Sequence, residues 1–189
     1  MKKSLFLIIG APGSGKTTDA EIIAKNHSDT TIHFSTGELL RDEAKLGSEL
    51  GKIIDKRIRA GNLVPVEIAV KTIIKAINSS DKSIVIIDGF PRSVEQMMEL
   101  EAELKKSQDI ELKRVIEVKV SQEIAMQRVL GRARGEDDKE EIFLNRMKVY
   151  IEPLEEIRDF YKKRAQLVEI DGQRAIEEIV KDIEEKIYE

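Results

Sequence analysis

Near the start of the chain Gly10-Ala11-Pro12-Gly13-Ser14-Gly15-Lys16-Thr17 holds the spacing G-x-x-x-x-G-K-[ST], directly after an apolar run from Leu5 to Ile9. Apolar residues at helical spacing follow from about Thr18. Glycines let successive backbone N–H groups turn inward around a polyphosphate, and the N-terminus of the following helix adds partial positive charge. Gly13, Ser14 and Gly15 would form that cradle, Lys16 would reach the β and γ phosphates, and Thr17 or Thr18 would offer a hydroxyl to Mg2+. A plain glycine-rich turn leaves the lysine and both hydroxyls unexplained. A second pattern, Ser83-Ile84-Val85-Ile86-Ile87-Asp88, ends four apolar residues in a carboxylate. Ligands sit beyond the C-terminal ends of parallel strands, so Asp88 is expected to hold Mg2+, most simply through water.

Loop and carboxylate need a parallel sheet to bring them together. Leu5 to Ile9, Ser83 to Ile87 and Val115 to Val120 read as strands, with Thr31 to Phe34 and Gln166 to Ile170 as weaker ones, and longer helical patterns lie between them. Ile84 to Ile87 is apolar at every position, as in a strand covered on both faces. The expected class is therefore α/β, with a central parallel sheet flanked by helices. At 189 residues, with no repeat and no linker composition, the chain predicts one folding unit. Gly131 to Asp138 is polar and glycine-flanked, and reads as a mobile surface loop.

Composition narrows the partners. A formal charge of −4 gives no general case for nucleic acid, and no run approaches the ~20 apolar residues of a membrane span. The chain has no cysteine and only two histidines, so thiolate metal sites and disulfides are excluded and zinc is not expected. With no signal-peptide core at the start, a cytoplasmic protein is expected.

Four further segments decide among nucleotide switches, motors, transporters and kinases. They are Phe34-Ser35-Thr36-Gly37-Glu38-Leu39-Leu40-Arg41, Gly61-Asn62-Leu63-Val64, Asp88-Gly89-Phe90-Pro91-Arg92 with Gln96, and the arginine-rich stretch from Arg128 to Arg146. In order and spacing they resemble the adenylate kinase family nearly end to end. The resemblance implies a P-loop NTPase core at 1–34, 65–130 and 139–189, a helical AMP-binding segment at 35–64 and a short lid at 131–138. It implies reversible phosphoryl transfer from Mg-ATP to AMP giving two ADP, by a monomer serving adenine nucleotide homeostasis.

Residue roles follow from the same resemblance. Arg41 and Arg92 would clamp the AMP phosphate, and a guanidinium fork suits that anion better than an ammonium. Thr36, Asn62, Leu63, Val64, Gly89, Phe90, Pro91 and Gln96 would complete the AMP site, Gln96 pairing with the adenine edge. Arg128 would lie against the ATP adenine and Arg174 would touch that base through its backbone. Lys16, Arg92, Arg132, Arg134 and Arg146 would surround the phosphoryl group in transfer, with Arg134 and Arg146 also reaching AMP. No general base is expected, because the attacking phosphate is already an anion.

Plainer readings compete at some positions. Ser35-x-x-Glu38 and Ser93-x-x-Gln96 both fit capping boxes, and Arg128 and Arg132 have the i, i+4 spacing of a solvated helix face. His27 and His33 have no acid partner in a motif and read as structural or exposed. The chain also departs from the family's habit. Thr17 stands where glycine is common, Asp19 where glutamine is, Glu38 where aspartate is, and Arg134 falls one residue early. A UMP/CMP kinase is the nearest rival, but Thr36 and Gln96 favour adenine. A non-catalytic switch would have no use for a second phosphate clamp.

Overall fold

The computed structural model describes residues 2–132 and 139–189, with Arg132 described by its backbone alone. Among these residues five parallel strands form one sheet in the order β2-β3-β1-β4-β5. They are β1 (Lys3–Gly10), β2 (Thr31–Ser35), β3 (Ile84–Asp88), β4 (Ile110–Lys119) and β5 (Leu167–Asp171).

β1 is central and apolar on both faces because helices cover both. Alternation along a strand sends Leu5, Leu7 and Ile9 to one layer and Phe6 and Ile8 to the other. The first layer holds α4 (Val66–Ser79), α5 (Val94–Lys106) and α8 (Leu154–Lys162), through residues such as Ile73, Leu100 and Tyr161. The second holds α1 (Lys16–Asn26) and α9 (Ile176–Tyr188), through Ile23 and Ile183. Each such fully buried side chain contributes about 1.5–3 kcal/mol of transfer free energy.

β4 begins five residues before the expected Val115. Leu5 faces Leu112 but Phe6 faces Arg114, so Lys113 is an extra residue in the ladder. That bulge breaks the alternation of the sequence and hides the first half of the strand.

Register places the ends of three strands together. Ile8 is opposite Asp88, and Asp88 is opposite Ser35. β1 continues into the glycine loop, while its neighbours β3 and β4 lie on opposite sides, which opens a crevice at the C-terminal edge. Two helix pairs wall this crevice. α2 (Thr36–Lys45) and α3 (Glu49–Arg59) stand on one side, joined to the core by Leu40 and Ile54 with Val64 beyond them. α6 (Gln122–Arg132) and α7 (Glu140–Ile151) stand on the other, packed on Ala11 through Ala125, Val129, Phe143 and Met147. α6 carries the chain through Arg132, two residues into the stretch expected as a lid. The rest of that stretch, with Arg134, lies outside the described residues.

Candidate active site

The glycine loop is shaped by two left-handed residues, Gly13 at φ 81° and Gly15 at φ 96°. A Cβ on Gly13 would lie 2.4 Å from the Ala125 carbonyl oxygen and 2.8 Å from Val129 Cγ2, so the loop also needs glycine to approach α6. Ser14 N–H donates to the Ala11 carbonyl at 3.0 Å, and Lys16 Nζ donates to the same oxygen at 3.2 Å. Gly15 takes the N-cap position, so α1 starts at Lys16, two residues before the expected Thr18. The first-turn N–H groups of α1 thus open on the loop, as an anion site requires.

Asp88 lies beneath this loop, 2% exposed. Thr17 Oγ1 donates to its Oδ1 at 3.1 Å, and His33 Nε2 lies 2.6 Å from its Oδ2. Burial alone would raise the carboxyl, but the bond to His33, the charge of Lys16 and the Thr17 hydroxyl together hold it below the usual carboxylate range. Of the two candidate hydroxyls, Thr17 is the one beside the carboxylate, and Thr18 is exposed. Of the two readings open for His33, structural or exposed, the structural one holds: its side chain is 7% exposed and has an acid partner that no motif named. Its position two residues before Ser35 puts it on the Asp88 side of β2, a placement that depends on the β2–β3 register. His27, at the far end of α1, meets Glu184 and stacks on Tyr188.

Mg2+ takes hard oxygen ligands and leans on substrate phosphates and water. An ionised Asp88 beside the Thr17 hydroxyl fits that donor set. Among the described residues no group of three or more His, Cys, Asp or Glu side chains could hold a metal ion.

The second part of the site is a cleft between β3 and the α2–α3 wall, lined by Lys16, Thr36, Arg41, Asn62, Leu63, Val64, Gly89, Pro91, Arg92, Gln96 and Arg146. Arg92 Nε donates to the Gly89 carbonyl at 2.6 Å. Burial above all, with Arg41 nearby, lowers the Arg92 guanidinium from its ordinary value, against the pull of Asp88. Two guanidinium groups converging on one cleft create a strong preference for an anion there.

Thr36 opens α2 and its hydroxyl donates to the Asp88 carbonyl at 2.7 Å. The Ser35-x-x-Glu38 capping box does not form, for Ser35 is the N-cap without a side-chain bond and Glu38 is exposed. Ser93 does cap: its hydroxyl accepts the Gln96 N–H at 3.1 Å, while Gln96 Oε1 accepts the Arg92 N–H at 2.8 Å. Phe90 differs from expectation, since its side chain is fully buried in the core and does not line the cleft. Gly61, at φ 69°, brings the 60–64 stretch against α7, where an added Cβ would lie 3.1 Å from Arg146 Cγ. Asn145 fixes this approach by donating to the Ala60 carbonyl at 2.8 Å and to Asn62 Oδ1 at 3.1 Å.

On the opposite side Arg128 donates to the carbonyls of Ser14 at 3.2 Å and Gly172 at 3.1 Å, tying the phosphate loop to the loop after β5. The Arg174 side chain turns to Asp182 and to the Asp171 carbonyl, away from any contact with the phosphate loop. Sequence reading missed the environment of Asp19, 2% exposed beside Lys16 and Arg128, with Oδ2 lacking a hydrogen-bond partner among the described residues. Burial raises its carboxyl to about 6 against the pull of both cations.

A parallel sheet sandwiched by helices, with a glycine loop between β1 and α1, defines the P-loop class of α/β nucleotide-binding proteins. The adenylate kinase family model matches residues 8–166. The chain is 60% identical to an adenylate kinase of Nautilia profundicola over 187 residues, covering 99% of this chain and 97% of the relative. It is 58% identical to one from Helicobacter pylori over 185 residues, 98% and 97% of the two chains, and 59% identical to one from Wolinella succinogenes over 182 residues, 96% of each. The chain belongs to the adenylate kinase family, and its class of chemistry is that of a kinase.

Proposed function

We infer that this enzyme transfers a phosphoryl group reversibly between Mg-ATP and AMP, giving two ADP. The observation that carries the reading is the second anion site: Arg41 and Arg92 face the cleft that also receives Lys16 from the phosphate loop. A nucleotide switch needs only the first site, whereas a transferase needs donor and acceptor phosphates side by side. The partners are therefore small nucleotides. A monomeric state, a cytoplasmic location and a supply of ADP for adenine nucleotide balance belong to the same proposal, as does a requirement for Mg2+ without zinc.

The bases are read by hydrogen-bond polarity. The Thr36 hydroxyl has one proton, and that proton is committed to the Asp88 carbonyl, so toward a ligand its oxygen only accepts. The Arg92 N–H can only donate, so the amide oxygen of Gln96 must face it and the amide N–H groups remain for the cleft. An acceptor next to a donor complements adenine, whose amino group donates and whose N1 accepts. Cytosine shares that polarity in a smaller ring; guanine and uracil reverse it.

In catalysis Lys16 and Arg92 hold the two phosphates, and Arg146 approaches from α7 to meet charge spreading over the transferred oxygens. Arg132 and Arg134 are assigned the same work from the lid. Mg2+, carried by Asp88 and Thr17 through its water shell, supplies further charge neutralisation when bound. Segments 35–64 and 131–138 would close over the core at 1–34, 65–130 and 139–189 to exclude water.

The test is a coupled assay of Mg-ATP with AMP, CMP, UMP and GMP in parallel. Two ADP per AMP, weak turnover of CMP and almost none of UMP or GMP is the expected result. A preference for UMP would overturn the base assignment. ATP binding without acceptor-dependent turnover would overturn the transferase reading.

A further inference from the structure

Behind the cleft lies a polar cluster that the reaction as described does not use. Glu117, opposite Ile9 in the β4–β1 ladder, is a carboxylate only 1% exposed. Arg158 of α8 grips it with two bonds, Nε to Oε2 at 2.8 Å and Nη2 to Oε1 at 2.6 Å. The Tyr150 hydroxyl of α7 donates to Oε1 at 3.0 Å. Burial and the adjacent carboxylate raise the Tyr150 hydroxyl well above its ordinary value, so it stays a donor.

A buried ion pair of this kind is weak as a source of stability, since apolar residues of equal volume commonly do as well. Its distinctive property is direction. Arg158 makes a planar two-bond fork, which fixes the carboxylate in space, and the carboxylate then fixes one hydroxyl. Tyr150 lies one helical turn after Arg146 on α7, and the two side chains line the same cleft. Any rotation of α7 about its axis displaces both together.

We propose that Tyr150 is a positioning residue, whose bond to the Arg158-clamped Glu117 sets the rotation of α7 and so aims Arg146 at the phosphoryl group in transfer. This rests on the phosphoryl-transfer reading of the site. Because the group in flight is held by short, directional contacts, a small misplacement lowers turnover more than ground-state binding.

The experiment is a double-mutant cycle of Tyr150→Phe and Arg146→Ala, with kcat and the KM for AMP measured for all four proteins and folding checked by thermal unfolding. Tyr150→Phe alone is expected to lower kcat about tenfold and change KM less than about twofold, and to have no further effect once Arg146 is alanine. Glu117→Gln, which keeps an acceptor for the hydroxyl, is expected to lose less kcat than Tyr150→Phe. An equal loss from Tyr150→Phe with and without Arg146, a KM rise matching the kcat loss, or no loss at all would overturn the positioning role. Full activity of Arg146→Ala would instead overturn the assignment of Arg146 on which it rests. Should Tyr150→Phe fail to fold, a Glu117→Gln effect that persists in the Arg146→Ala background would overturn the inference by itself.

Discussion

Asp19 shows how one residue can be visible in a sequence while its behaviour is not. At the first turn of α1 a carboxylate is well placed against the helix dipole. The fold, however, seals it beneath the phosphate loop, and burial raises its carboxyl from 3.8 to about 6. The native state therefore favours the protonated form. Its stabilising effect is complete below about pH 4 and is lost as pH rises through 6, leaving a buried charge that costs about 1–3 kcal/mol at pH 8. Asp19→Asn is expected to raise the thermal midpoint at pH 8 and to change it little at pH 4. Melting curves across that range check it, and an increment independent of pH would contradict the burial effect. His33 teaches the same lesson in reverse: nothing adjacent in the chain names its partner, and only strand register brings it to Asp88.

Elements were legible where one physical demand dominates. β1 and β3 are apolar at nearly every position because both faces are covered, and the glycine loop declares itself through backbone angles that other residues adopt only with strain. β4 was half hidden, since the extra Lys113 shifts its pattern by one residue. Contacts between elements left no local trace. Gly13 reads as a loop glycine, but it is also the point where the loop touches the backbone of α6. Gly13→Ala combines a positive φ with a Cβ driven into a carbonyl, and is expected to cost about 2–4 kcal/mol in urea unfolding. By calorimetry it should weaken ATP more than AMP, because α6 also carries Arg128 to the loop. Equal loss for both nucleotides would place the damage in the whole fold.

Across the whole molecule stability is distributed unevenly. The sheet and its covering helices form continuous apolar layers, whereas the buried residues of α3 are only Gly51 and Ile54. Hydrogen exchange should accordingly find α3 amides opening at free energies at least ~2 kcal/mol below those of β1 and β3. AMP together with a non-hydrolysable ATP analogue should slow them, by mass action on the closed form. Protection in α3 equal to that in β1 would show that the segment does not move as an independent unit.

The amino-acid order alone determined the α/β class, the phosphate loop and the carboxylate at the end of β3, while the arginines assigned to the second site came from the resemblance to the family. The first three are local demands: covered strands need unbroken apolar runs, and a phosphate cradle needs glycines before a helix. Tertiary structure decided which threonine meets Asp88, that His33 supports it, that Phe90 belongs to the core, and that Thr36 and Gln96 present one acceptor and one donor to the cleft. It also brought Glu117 of β4 to Tyr150 and Arg158, which lie 33 and 41 residues further along the chain on the successive helices α7 and α8. Hydrogen-bond partners and burial depend on how strands register and helices pack, and those are properties of distant residues meeting in space rather than of any spacing along the chain.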